Sequence, residues 1–292
     1  MKCFYHNDVD GKCAGAIVKK HWDESNNHKT RASYISINYD VNFPLETVDK
    51  DEKIFIVDFS LSIEDFMKLY EITKRIVWID HHITAIEKYK LCPIRPECIE
   101  GVRENGKAGC ELTWEYLRPA TTMPLSVKYA GRYDVWDFSE FGETLNVFQA
   151  GVRLERHDPE SETWINLLGD NHLESLVDIL RDGEIALKFR TNRYASMIKA
   201  FSFYAEFEGL RAICCNVGAT SSQLFDSVDE STYDIMIPFV ASDRGWTLSL
   251  YAKKDIDCSE IAKKYGGGGH KKAAGFQCKQ LFFKDGKIEV IQ

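Results

Sequence analysis

Along the first third of the chain, apolar and polar positions repeat one unit: a short apolar run, a break into acidic or imidazole side chains, then a stretch with helical spacing. Residues 2–5 form the first run and break into His6-Asn7-Asp8-Val9-Asp10-Gly11, after which Ala14, Ala16, Ile17 and Val18 lead toward Trp22 as a helix. Residues 33–38 alternate like a half-buried strand, whereas 53–57 are almost continuously apolar, as in a strand covered on both faces. That run ends in Asp58-Phe59-Ser60. Ser62 then supplies an N-cap, with Glu64 and Asp65 in the first turn, for a helix running through Leu69. Residues 75–79 make the next strand and end in Asp80-His81-His82. Three strands that finish in carboxylates or imidazoles, with helices between, predict an α/β domain on a parallel sheet whose carboxyl edge carries the chemistry.

Further on, residues 111–117 and 125–133 read as helices, the second delivering Asp134-Val135-Trp136-Asp137. Residues 160–208 are mainly helical in spacing and predict a connector, its aromatic stripe of Phe189, Tyr194, Phe201, Phe203 and Tyr204 serving as core. The pattern then turns to strands at 210–216, 233–240 and 246–252, with a helix at 221–228. Asp257-Cys258-Ser259-Glu260 resembles a capping box and opens a short helix to Lys264. Four glycines, Gly266 to Gly269, precede His270-Lys271-Lys272. Such a run is costly to order and makes little sense as packing; it suits a backbone that approaches an anion closely, with His270 as a donor and the lysines as charge.

Composition narrows this picture. The 292 residues are 44% hydrophobic, enough for two domains with real cores. No apolar run approaches a membrane span and residues 1–5 lead straight into polar ones, so no membrane partner is expected and the cytoplasm is the default location. Nine cysteines without a Cys-x-x-Cys pair argue for reduced, packed thiols. The net charge of −8 is uneven: nine lysines against five acids give residues 251–292 a net +4, leaving −12 to residues 1–250. An acidic body that holds cations beside a basic segment that meets an anion is consistent with that split.

The metal-competent side chains are His6, Asp8, Asp10, Asp58, Asp80, His81, His82 and Asp134, with no thiolate among them. His6, Asp8 and Asp10 alternate, so an extended loop would point them to one side. Imidazole mixed with carboxylate suits Mn²⁺, with Mg²⁺, Co²⁺ or Zn²⁺ less specific. So many carboxylates call for two ions, which can activate a water and clamp a phosphoryl centre. The reaction expected is phosphoester hydrolysis.

In this order the His6 to Gly11 segment, Asp58, Asp80-His81-His82, Asp134 and the glycine loop ending at His270 resemble the motifs of the DHH phosphoesterase superfamily with a C-terminal DHHA1 domain. The superfamily includes RecJ-type exonucleases, oligoribonucleases, pAp phosphatases and cyclic-dinucleotide phosphodiesterases. The resemblance implies a DHH domain over residues 1–155, a connector over 156–208 and a smaller α/β DHHA1 domain over 209–292. It implies His6 and Asp8 on one ion, Asp10, His81 and Asp134 on the other, and Asp58 bridging them. Asp80 and His82 would be catalytic, His82 facing the scissile phosphate and Asp80 orienting a neighbouring imidazole. Gly267, Gly268, Gly269 and His270 would hold the substrate from the second domain, across a cleft whose closure could gate turnover. Arg103, outside these motifs, is a further candidate phosphate contact, with a solvent-exposed arginine as the alternative. Asp134 is preferred to Asp137 because it directly follows its helix.

The leading expectation is a Mn²⁺-dependent phosphodiesterase that takes short single-stranded oligoribonucleotides to mononucleotides. A pAp phosphatase or a cyclic or linear dinucleotide phosphodiesterase is the alternative, and a non-catalytic nucleotide sensor is the alternative of another class. The pattern does not specify assembly, and a homodimer is left open.

Overall fold

The computed structural model describes residues 1–26, 31–39, 41–89, 94, 99–218, 220–243 and 245–291. These divide into two compact units, Met1–Leu187 and Lys188–Gln292. The first begins with β1 (Lys2–His6), α1 (Val9–Asn26), β2 (Ser33–Ile37), β3 (Ile54–Val57), α2 (Ile63–Ile72), β4 (Ile76–Ile79) and α3 (Ile83–Tyr89). The helices α4 (Gly109–Leu117), α5 (Leu125–Asp134), α6 (Thr144–Val152) and α7 (Glu162–Leu167) follow, and α8 (His172–Phe201) runs on past the boundary between the units.

The four strands form a wholly parallel sheet in the order β2-β1-β3-β4. All residues of β3 and β4 are buried, and they alternate between two cores. Phe55, Val57, Val77 and Ile79 pack with Ile17, Leu112 and Phe148 on one face, while Ile54, Ile56, Ile76 and Trp78 pack with Phe66, Leu69 and Tyr89 on the other. Coverage on both faces explains the near-continuous apolar runs. The order has a functional consequence. The chain leaves β1 for β2 on one side, whereas β3 and β4 lie on the other, which opens a crevice beyond the carboxyl ends of β1 and β3.

The second unit contains β5 (Ser202–Phe207), β6 (Leu210–Cys215), β7 (Ile235–Ser242), β8 (Gly245–Tyr251), α9 (Cys258–Lys264), β9 (Gly268–His270), β10 (Ala273–Cys278), β11 (Gln280–Lys284) and β12 (Lys287–Ile291). They make a mixed sheet in the order β11-β12-β5-β6-β7-β8-β10-β9. α9 starts where the sequence places it, Asp257 accepting from the Ser259 and Glu260 N–H groups.

Several expectations change here. Residues 202–207 are a strand, not the end of a helix: Glu208 and Gly209 both take positive φ, and that tight turn pairs Phe207 with Leu210. Residues 221–228 hold only one 3₁₀ turn, Ser222–Phe225, enough to bury Leu224 and Phe225. The aromatic stripe is not a core stripe. Tyr194 and Phe203 pack against cores, but Phe189 is 72% exposed and Phe201 and Tyr204 are also exposed. Cys3, Cys13, Cys110, Cys214, Cys215, Cys258 and Cys278 are free and buried, while Cys92 and Cys98 lie outside the described residues. Among the described residues no helix is long and apolar enough to cross a membrane.

Candidate metal centre

The crevice at the sheet's switch point gathers side chains from five segments. His6 closes β1, and Asp8 directly precedes α1, its carboxylate accepting the Gly11 N–H at 2.8 Å as an N-cap would. Asp10 sits in the first turn of α1. The convergence of His6, Asp8 and Asp10 therefore comes from a strand end, a cap and a helical turn, in place of the extended loop expected from their alternation. Gly11 makes this fit possible, since a Cβ there would lie 2.2 Å from the His6 carbonyl oxygen. Asp58 follows β3 with φ of 55°, a left-handed conformation tolerated by aspartate and concentrated at functional sites.

Three overlapping groups result, one of them Asp58, His81 and His82. One ligand-type atom from each of His6, Asp8 and Asp58 lies within 4.8 Å of the others, and the same holds for Asp10, His81 and Asp134. Asp58 also stands between them: its Oδ1 is 3.1 Å from His81 Nε2 and its Oδ2 is 3.7 Å from His6 Nδ1. His81 Nε2 further faces Asp134 at 3.3 Å and Asp10 at 3.9 Å. His6 Nδ1, both Asp58 oxygens and His81 Nε2 are buried without a well-formed hydrogen bond, their nearest polar neighbours being one another and Asp8 Oδ2, 2.8 Å from His6 Nδ1. Buried polar atoms packed together in this way need an explanation, and oxygen and imidazole donors without a thiolate fit hard divalent ions. Asp137 stays outside, occupied by Arg132 and Ser139.

The electrostatics carry the same mark. Burial, then the charges of Asp8 and Asp134, raise Asp58 to about 8 even though His6 opposes them. Burial and the charges of Asp58, Asp134 and Asp8 push Asp10 well above the usual carboxylate range, and burial with Asp8 raises Asp134. The carboxylates of Asp58 and Asp8 lift His6 to about 10 against the effect of burial. Carboxyls crowded out of water want cations between them.

Asp80 has a different part. It is fully buried, accepts the Ser60 hydroxyl on one oxygen, and on the other takes His81 N–H at 2.8 Å and His82 Nδ1 at 2.7 Å. Burial would raise its pKa, but the bonds from His82 and Ser60 hold it below the ordinary value. Burial would lower that of His82, yet Asp80 holds it up at about 9. Nδ1 is thereby committed to Asp80, which leaves Nε2 as the nitrogen His82 can offer elsewhere.

Residues 3–133 match the DHH family, N-terminal domain. The first unit therefore carries a DHH-family N-terminal domain, and the match supports the resemblance to the DHH phosphoesterase superfamily. It is 24% identical over 253 residues to an uncharacterized protein of Acanthamoeba polyphaga mimivirus, covering 80% of this chain and 55% of the viral protein, so the chain spans little more than half that relative's length. It is 23% identical over 299 residues to oligoribonuclease NrnB of Bacillus subtilis, covering 93% of this chain and 71% of NrnB. Among solved structures, the DHH domain of a member of the S1p family of ribosomal proteins superposes with a TM-score of 0.59 at 15% identity, over 99% of this chain and 82% of that one. The pGpG-specific phosphodiesterase PggH from Vibrio cholerae superposes with a TM-score of 0.55 at 14% identity, over 94% and 92%. At these identities the structures speak for the fold.

The DHH domain also contains supporting residues that its sequence did not reveal. The N-terminus of α4 abuts the centre: the Gly109 and Cys110 N–H groups donate to Asp10 at 2.7 and 3.0 Å. A Cβ on Gly109 would lie 2.5 Å from that of Asp58. Buried Glu111 accepts the Ala108 N–H and is gripped by Arg132 at 2.8 and 3.0 Å, which ties this helix start to the helix bearing Asp134. The Ala-Gly step before a helical run was the available signal, and it does not name its target.

Two expectations fare differently. The Arg103 guanidinium donates to the carbonyls of Trp78, Glu100 and Ile99 and lies over the Trp78 ring, so its geometry gives the expected phosphate contact no support. The glycine run has packing reasons after all. Gly266 takes φ of 73° just beyond α9, a Cβ on Gly267 would strike the Gly275 carbonyl oxygen at 2.1 Å, and Gly269 takes φ of 137° against Ala274. A Cβ on Gly266 or Gly268 would meet open space, so Gly268, whose φ is not positive, is the one glycine of the run that neither backbone conformation nor a close neighbour requires. Gly268 to His270 form an exposed edge strand, while Lys271 pairs with Asp255 and Lys272 bonds backbone carbonyls of Lys253 and Lys254.

Proposed function

We propose that the chain is a Mn²⁺-dependent phosphodiesterase that hydrolyses short oligoribonucleotides to mononucleotides. The observation that carries this reading is the set of donor clusters at the sheet's switch point, His6-Asp8-Asp58 and Asp10-His81-Asp134, which Asp58 links through its 3.1 Å approach to His81. His6 and Asp8 would hold one ion, Asp10, His81 and Asp134 the other, with Asp58 between. Two divalent ions there would supply an activated water and offset charge on the phosphoryl oxygens. Around them the protein's own groups act. Asp80 fixes His82 with its outer nitrogen free, so that a protonated imidazole can donate to a phosphate oxygen or to the leaving oxygen. The Gly109 and Cys110 N–H groups hold Asp10 in place. In the second unit the exposed Gly268 backbone and His270 are read as an anion contact, as the resemblance to a DHHA1 domain implies.

Oligoribonucleotide as substrate is supported by the likeness to NrnB over most of this chain. The likeness of fold to PggH keeps a dinucleotide as the second substrate to test. Metal-depleted protein given Mn²⁺ and, in parallel, a labelled five-nucleotide RNA, pAp, and linear and cyclic dinucleotides separates the readings. Stepwise shortening of the RNA to mononucleotide is expected. Turnover confined to pAp or a dinucleotide would replace the substrate, and binding without turnover on any of them would replace catalysis with sensing.

A further inference from the structure

Tyr39 is absorbed by neither the core nor the ion clusters. It lies two residues beyond β2, on the carboxyl edge that also carries His6, since Ile37 pairs with His6 in the sheet. One face of its ring stacks on Phe59 at 4.4 Å and 25°. Phe59 is buried and follows Asp58 directly, so the platform under Tyr39 is part of the same strand end as the central carboxylate. The ring stands 5.8 Å from the His6 imidazole and 6.2 Å from that of His82, to which it is nearly perpendicular. Yet Tyr39 is 60% exposed. A large aromatic ring stacked on a buried phenylalanine, more than half exposed and set beside His6 and His82, is unnecessary for recognising phosphate alone.

We propose that Tyr39 is the stacking platform for the nucleobase of a residue flanking the scissile phosphate. The inference rests on the phosphodiesterase reading and deepens it by specifying a nucleotide, not a bare phosphoester, at this side of the centre. Every base presents a π-face, so stacking on one ring gives affinity without fixing sequence, as an enzyme that clears mixed short oligonucleotides requires. The surroundings agree: the donor clusters are built of carboxylates and imidazoles, and of the two described aromatic rings Tyr39 and Phe59 that contact His6, Phe59 is buried and Tyr39 is exposed.

The test compares wild type, Tyr39→Ala and Tyr39→Phe in Mn²⁺ on a five-nucleotide RNA and on the corresponding five-residue ribose phosphate oligomer without bases. Tyr39→Ala is expected to lose about 5- to 150-fold in kcat/KM on the RNA, mostly through KM, and Tyr39→Phe to restore it. On the baseless oligomer Tyr39→Ala and wild type should be equal. Equal loss on both oligomers, or no loss on RNA, overturns the stacking assignment. Mn²⁺ titration by calorimetry checks that Tyr39→Ala still binds ions as wild type does; lost ion binding would mark the ring as structural and also overturn it. Absence of wild-type cleavage of the RNA overturns the phosphodiesterase reading and the inference together, whereas cleavage indifferent to the ring overturns the inference alone.

Discussion

Replacing Asp58 by asparagine should make the metal-free protein more stable while abolishing its response to metal. Asp58 is 1% exposed and neither oxygen is hydrogen-bonded, so ionising it in the fold is opposed by burial and by Asp8 and Asp134. Its carboxyl keeps a proton up to about pH 8 when folded but releases it near 3.8 when unfolded. The unfolded chain therefore gains ground as pH rises between those values, and the penalty levels off above the upper one. A separation of about 4 units corresponds to about 5 kcal/mol at full development and about 4 kcal/mol at pH 7. Asn keeps the shape and discards that penalty. For a unit of this size the gain would raise the midpoint of thermal unfolding by roughly 10 °C at pH 8. Scanning calorimetry on chelator-treated wild type and Asp58→Asn at pH 4.5 and pH 8, with and without Mn²⁺, measures it. The expected pattern is a gain at pH 8 that shrinks toward zero at pH 4.5, with Mn²⁺ stabilising wild type far more than the variant. A gain independent of pH, or equal stabilisation of both proteins by Mn²⁺, would refute the reasoning.

Other expectations reach the supporting residues. Arg132→Met strands the buried Glu111 carboxylate and should cost about 3–5 kcal/mol in denaturant unfolding, with weaker Mn²⁺ binding because α4 and the Asp134 helix lose their tie; replacing both partners by apolar residues should recover most of the stability. Gly109→Ala forces a methyl against Asp58 and should cost roughly 1–3 kcal/mol and lower Mn²⁺ affinity, read by calorimetric titration. Activity should fall on the alkaline side as His82 loses its proton near pH 9. Asp80→Asn removes the partner that raises it, so that limb of the pH profile should move down toward about 6.5.

What the sequence showed depended on whether the signal was local. The parallel sheet was legible because β3 and β4 are buried on both faces and end in Asp58 and Asp80-His81-His82, a run and its break lying side by side. The helix starts at Ser62 and Asp257 were legible for the same reason, each cap preceding its helix. Residues 202–207 were not, because Ser202 to Phe207 continue an apolar spacing compatible with the helix before them. Only the two positive φ angles at Glu208-Gly209 turn them into a strand. The exposed Phe189 likewise follows helical spacing, and spacing says which residues share a face without saying whether anything covers it. In the candidate site, the ionisable residues announced themselves by type and by motif order. Ser60, Gly109 and the Glu111–Arg132 pair act through backbone N–H groups and long-range bonds, and these have no local sequence signature.

Crystals grown with Mn²⁺ and measured at the manganese absorption edge address the central claim most directly. Two anomalous peaks roughly 3.5–4 Å apart are expected, with Asp58 between them, one bounded by His6 and Asp8 and the other by Asp10, His81 and Asp134. A single peak, or peaks away from these side chains, would contradict the account.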